Sequence, residues 1–296
     1  MRLSRTSLAA WILLSIAAFS IHPAFGAVSV VDDTQRTVTL PAPARRVVSL
    51  APHTTELLFA AGAGAYVIGV TEYSDYPPEA KRITSVGSGI SLDLERILQL
   101  KPDLIVGWNN GMTAAQLAKL ETLGIPLFKS EPHGFQAIAS SLERLAHLAG
   151  TDATGRAAAA SFRARLQRLE AAYRQRPRLR VFYQIWRAPL MTLNDDTTPS
   201  AALRLCGAQN IFGQLPQLAP TVSMEAVLKE DPDAIIASSG EQDDVLGIWH
   251  RFPNLKAVAK GNLLLIDGGM LNRSGPRILD GVETLCRQLD VIRGKP

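Results

Sequence analysis

The sequence predicts an α/β protein: two Rossmann-like lobes with parallel sheets, joined by one long α-helix. Three observations point there. Leu94-Glu95-Arg96-Ile97-Leu98-Gln99-Leu100-Lys101-Pro102-Asp103-Leu104-Ile105-Val106 returns 130 residues later as Met224-Glu225-Ala226-Val227-Leu228-Lys229-Glu230-Asp231-Pro232-Asp233-Ala234-Ile235-Ile236. Each copy reads as a short helix, a Pro-Asp turn and a buried strand, and a repeated unit implies two similar lobes. Short apolar runs alternate with helical patterns along the chain, the signature of a parallel sheet. Between the two copies lies a Gly- and Pro-free stretch rich in Ala, Arg, Leu and Glu.

Arg2 and Arg5, the apolar run Leu8 to Phe19 and the small residues Ala24 and Gly26 form an export signal cleaved before Ala27. The run is shorter than the about 20 residues a membrane span needs. No cysteine lies near the cleavage site, so a soluble periplasmic protein is expected. Losing the signal lowers the formal charge from +4 to +2, which makes the basic balance weak evidence for nucleic-acid binding, and no nucleic-acid partner is expected. The predicted organisation is residues 1–26 signal, 27–149 first lobe, 150–176 linker helix and 177–296 second lobe.

Val28 to Leu40 alternates apolar and polar residues around Asp32-Asp33-Thr34-Gln35 and reads as a hairpin. Strands follow at Arg46–Leu50, Tyr66–Val70, Leu104–Val106 and Pro126–Phe128. Helices are expected at Pro52–Gly62, Thr113–Leu123 and Phe135–Leu148. Thr151 to Arg174 forms a helix of about 30 Å, with Phe162, Leu166, Leu169 and Tyr173 in one stripe; its place between the repeats makes it the connector. The second lobe reads as strand Arg180–Gln184, helix Pro199–Leu205, the second repeat, strand Leu263–Ile266 and helix Pro276–Ile292.

The chain has two cysteines, Cys206 and Cys286. An even count in an oxidising compartment favours one disulfide, worth roughly 4 kcal/mol in the chain-entropy model. The alternative is two buried free thiols. No His stands at zinc-ligand spacing from either.

Ligands of open α/β sheets bind beyond the carboxyl ends of the strands. The residues there are Ala51, Pro52 and His53; Tyr73, Ser74, Asp75 and Tyr76; Trp108, Asn109 and Asn110; Trp186 and Arg187; and Asp267, Gly268, Gly269, Met270 and Arg273. Two of the three tryptophans beyond the signal fall in this set. That concentration points to a large, flat, partly apolar ligand held by stacking, although any one ring is more often ordinary packing. No nucleophile-elbow, P-loop or dinucleotide motif is present, so no catalytic residues, cofactor or resident metal are expected. His53 and His133 with a carboxylate are the one grouping that could gather a transition metal. Glu95 and Glu225 occupy equivalent first-turn positions after Asp93 and Ser223. The helix dipole alone favours one such carboxylate, but a matched pair on two lobes suits a two-fold basic partner.

Ser49-Leu50-Ala51-Pro52-His53-Thr54-Thr55-Glu56-Leu57, Tyr73-Ser74-Asp75-Tyr76-Pro77-Pro78, Leu94-Glu95-Arg96-Ile97, Lys101-Pro102-Asp103-Leu104 and Arg273-Ser274-Gly275-Pro276-Arg277-Ile278 resemble the periplasmic cobalamin-binding proteins of ABC-type vitamin importers. That group sits in a two-lobed, helix-linked class with haem and ferric-siderophore receptors. The resemblance spans about Arg45 to Leu289, and the Tyr-Ser-Asp-Tyr-Pro-Pro run is its most specific part. It implies a monomeric binding protein without catalysis that delivers cobalamin or another corrinoid to permease subunits. It implies that Tyr73 touches the corrin, that Trp108 and Arg273 line the pocket, that Glu95 and Glu225 dock on permease arginines, and that the cysteines pair. His53 stands where this branch more often has a smaller polar residue, leaving room for axial metal coordination. Two family tryptophans are Gly89 and Ala219 here, and a family aspartate is Gly269, with Asp267 close by. Trp186 is expected to stack from the second lobe instead. A haem or ferric-siderophore receptor is the alternative.

Overall fold

The computed structural model describes residues 26–239 and 244–294. The export signal read at residues 1–26 lies outside them except for Gly26. Among the described residues no helix is long and apolar enough to cross a membrane.

Strands β1 (Val28–Val31) and β2 (Thr37–Leu40) pair antiparallel. The alternation does what the pattern predicted: Val38 and Leu40 face the core while Thr37 and Thr39 face water. The Asp32 carboxylate closes the turn by accepting from the Thr34 and Arg36 backbone N–H groups at 2.8 and 3.0 Å.

The first lobe is a parallel sheet of β3 (Val47–Ser49), β4 (Val67–Val70), β5 (Thr84–Ser85), β6 (Leu104–Trp108) and β7 (Leu127–Ser130), in the order β5-β4-β3-β6-β7. Helices α1 (Pro52–Ala60), α2 (Leu94–Gln99), α3 (Ala114–Thr122) and α4 (Gly134–Ala149) cover it. The predicted strands and helices are present within one to three residues of the expected ends. The edge strand β5 was not expected, because two exposed residues leave no pattern.

Helix α5 (Asp152–Tyr173) then runs for 22 residues. The second lobe holds β8 (Leu179–Gln184), α6 (Thr198–Leu205), β9 (Ala208–Asn210), α7 (Met224–Glu230), β10 (Ala234–Ser239), α8 (Lys256–Ala259), β11 (Leu263–Asp267), α9 (Gly268–Leu271) and α10 (Ile278–Arg293). Its parallel order is β11-β10-β8-β9.

Buried on both faces, the central strands send successive side chains to opposite layers. Val47, Leu104 and Val106 join one apolar cluster while Val48 and Ile105 join another. In the second lobe Val181 and Tyr183 point one way and Phe182 the other. The first of these clusters does not stop at a lobe boundary. It runs from the hairpin through α1 and α4, takes in Phe162, Leu166 and Leu169 of α5, and continues through α6 and α10. The predicted stripe is therefore the seam between the lobes. Ion pairs reinforce it on both sides: Arg163 to Glu143 of α4 at 2.7 Å, and Arg165 to Asp280 and Glu283 of α10 at 2.5 and 2.7 Å. Cys206 and Cys286 form a disulfide between the end of α6 and α10, so the free-thiol alternative falls.

Candidate ligand cleft and docking face

Strand order fixes where the cleft opens. In the first lobe the chain leaves β3 toward β4 and β5, then returns to the other side for β6 and β7. The crevice therefore lies at the carboxyl ends of β3 and β6, where the order reverses. In the second lobe β9 lies on one side of β8, with β10 and β11 on the other, and the crevice falls at β8 and β10. These ends carry His53, Trp108 and Trp186.

Trp108 closes β6. His53 meets its ring edge-on, at 5.7 Å between centroids and 86° between planes. Behind the ring is Gly111, where a Cβ would fall 2.1 Å from Trp108 Cε3. Only a residue without a side chain admits the indole at that spacing. The ring is thus wedged while remaining 43% exposed. His53 itself is buried, with Nε2 3.3 Å from Ser130 Oγ. Burial, aided by the Arg273 charge, lowers its pKa to about 4, so it is a neutral imidazole at pH 7. It forms the layer beneath Trp108 rather than the cleft surface. The grouping of His53 with His133 does not form: His133 is exposed ahead of α4, and the described residues hold no metal-binding set of three or more His, Cys, Asp or Glu.

Tyr73 follows β4 with a left-handed backbone, φ 64°, uncommon for a bulky residue, and is 64% exposed. Trp186 follows β8 and is 49% exposed; its Nε1 donates to the Ala188 carbonyl at 2.9 Å, which fixes the ring to its own loop. Trp249 and Tyr183, by contrast, are fully buried. Asp267 ends β11 and caps α9 by accepting from the Gly269 N–H at 2.7 Å.

The floor is ionic. Glu56, in the second turn of α1, is buried, and Arg277 of the second lobe donates to it through Nε at 3.0 Å and Nη2 at 2.6 Å. Arg273 Nη1 donates to Asp75 Oδ1 at 2.7 Å and lies 3.4 Å from Glu56 Oε1. Burial pushes the Asp75 carboxyl up, but the hydrogen bond and charge of Arg273 outweigh it and hold the group below the usual carboxylate range. The Arg277 guanidinium also stacks on Tyr76 at 3.9 Å. Gly275 permits this approach, since a Cβ there would sit 3.0 Å from Glu56 Oε2. Thr198 Oγ1 reaches the Pro132 carbonyl and Ser274 Oγ, each at 3.4 Å, beside the ionic set. So Asp75, Glu56, Arg273 and His53 are brought together near Trp108, with Tyr73 on the same loop as Asp75. Trp186 follows β8 and Asp267 ends β11 in the second lobe's sheet, and neither joins this set. The sequence reading did not single out Glu56 and Arg277. The four-residue spacing of Arg273 and Arg277 was the available signal, since two cations so placed need a buried anion or open water.

Glu95 and Glu225 are both exposed in the first turns of α2 and α7. Asp93 and Ser223 cap these helices by accepting from Arg96 N at 2.9 Å and Ala226 N at 3.1 Å. Each helix leads back to the start of a parallel strand, so each helix N-terminus lies at the carboxyl end of its sheet. Both acids therefore sit at the cleft end of their lobes. The Glu225 carboxyl is held low by its own backbone N–H and by Ser223.

Residues 47–268 match the Periplasmic binding protein family. The chain belongs to that family. It is 39% identical to the vitamin B12-binding protein of Vibrio cholerae serotype O1 over 253 residues, covering 85% of this chain and 91% of that one. It is 38% identical to the vitamin B12-binding protein of Yersinia pestis over 255 residues, covering 85% and 89%. The crystal structure of the periplasmic vitamin B12 binding protein of Vibrio cholerae superposes with a TM-score of 0.79 at 38% identity, over 86% of this chain and 99% of that one. A periplasmic haem-binding protein of Pseudomonas aeruginosa superposes with a TM-score of 0.73 at 26% identity, over 86% and 94%. The family is one of binding proteins, not enzymes.

Proposed function

We propose that the chain is exported to the periplasm, captures cobalamin or a related corrinoid between its lobes, and hands it to an ABC importer. The observation that carries this reading is the set of half-exposed rings, Tyr73, Trp108 and Trp186, at the carboxyl ends of the two parallel sheets. A corrin is a broad disc with apolar faces and a polar amide rim. Stacking on its faces supplies affinity, and the Arg273 and Asp267 region orients the rim. The vitamin B12-binding relatives favour this ligand over haem, and the burial of His53 beneath Trp108 leaves no exposed imidazole there for iron. Lobe limits near residues 149 and 177 and a monomeric state complete the reading. Titration of residues 27–296 with cyanocobalamin and with haemin by calorimetry tests it. One corrinoid per chain, with haemin bound at least tenfold more weakly, is expected; no corrinoid binding would refute it.

Glu95 and Glu225 contact basic groups of the two permease subunits in this reading. A Glu95→Ala/Glu225→Ala chain is expected to bind corrinoid within about twofold of the parent, because neither side chain belongs to the cleft wall. Corrinoid uptake by cells carrying it should fall to background, and undiminished uptake would remove the docking role.

A further inference from the structure

From the ionic floor we infer that Asp75 is a specificity-determining residue that makes the cleft select amide-rimmed over carboxylate-rimmed ligands. The inference rests on the corrinoid reading and deepens it. A guanidinium lining a pocket ordinarily recruits carboxylates in bidentate fashion. Arg273 acts through its charge on His53, the buried imidazole against Trp108, and it reaches the loop of Tyr73 through Asp75. It is already engaged: Asp75 accepts from Nη1 at 2.7 Å and Glu56 stands 3.4 Å away. Arg277, the second cation, is held by both oxygens of Glu56. Two guanidinium groups face two carboxylates, and the floor is electrically balanced.

Such a floor treats two kinds of rim differently. A neutral amide carbonyl can use the remaining N–H donors of Arg273, which has five, without disturbing either acid. A ligand carboxylate has to displace Asp75 or lie beside it, and like charges brought together in a partly desolvated site penalise the wrong partner. The two acids are not equivalent in this. The Glu56 side chain is 2% exposed and part of the lobe contact. The Asp75 side chain is 52% exposed, on the loop of Tyr73, so it is the acid an arriving ligand meets.

The test is a calorimetric comparison of the parent chain, Asp75→Asn and Asp75→Glu. The probes are cyanocobalamin, cobyrinic acid (a corrin whose rim groups are all carboxylates) and haemin. The parent should bind cyanocobalamin at least a hundredfold more tightly than cobyrinic acid. Asp75→Asn keeps a neutral acceptor while removing the charge. It should narrow the preference for cyanocobalamin over cobyrinic acid and over haemin by about tenfold. Asp75→Glu should restore the parent's discrimination. Equal changes for amide and acid ligands in Asp75→Asn, or unchanged discrimination, would overturn this inference while leaving the corrinoid reading intact. Failure of the parent to bind cyanocobalamin would overturn both.

Discussion

The lobes meet in two places with opposite chemistry. At the back they share one apolar cluster threaded by Phe162, Leu166 and Leu169 of α5. At the front they meet through Glu56, Asp75, Arg273 and Arg277. Apolar packing is short-ranged and depends on fit, so the back behaves as a fixed seam. Ion pairs at a cleft floor tolerate small changes of distance and exchange partners with water or ligand. The difference assigns stability to the back and recognition to the front, and a small opening motion is expected because one long helix and a shared core span the join.

Emptying the seam should have the largest effect. Leu166→Ala removes a buried side chain from a layer both lobes use, and should lower unfolding free energy by about 2–5 kcal/mol. Urea denaturation measures it, and corrinoid affinity should stay within about threefold. Lost affinity at unchanged stability would invert the assignment.

Next comes the imidazole beneath Trp108. The folded pKa of His53 lies near 4 against an ordinary value of 6.5. The unfolded chain then binds the extra proton between those values. The contribution to stability is complete above pH 6.5 and lost as the pH falls toward 4, by up to about 3 kcal/mol. Comparing denaturation midpoints of the parent and His53→Gln at pH 7 and pH 4.5 reads this. The variant should lose less stability on acidification, and equal losses would show that His53 titrates normally.

The smallest effect should come from the front. Glu56→Gln keeps the shape of the side chain but leaves Arg277 without its carboxylate. A loss of about 2 kcal/mol is expected, below that of a fully buried pair because both arginines keep some solvent contact. Small-angle scattering should show the ligand-free chain slightly more open. A loss as large as that of Leu166→Ala would make the floor structural rather than adaptable.

The fold was largely legible. The repeat, the alternation of strands and helices, and the stripe on α5 are one-dimensional patterns that follow from periodicity. Placing His53, Tyr73, Trp108, Trp186, Arg273 and Asp267 at strand ends needed only strand direction. What could not be read was which of these contact one another. His53 looked like an open ligand group, yet Trp108 covers it. The pairing of Glu56 with Arg277 spans 221 residues, and no local pattern encodes a partner so distant. Gly111 and Gly275 were equally silent, because their role is to leave room for a ring and a carboxylate that arrive from elsewhere.

A crystal structure of residues 27–296 grown with cyanocobalamin addresses the central assignment most directly. The corrin should lie between the lobes, with a face or edge against Trp108 and Trp186, Tyr73 at its margin and rim amides over Arg273. A corrin bound outside the cleft, or crystals from saturated solution with an empty cleft, would contradict the account.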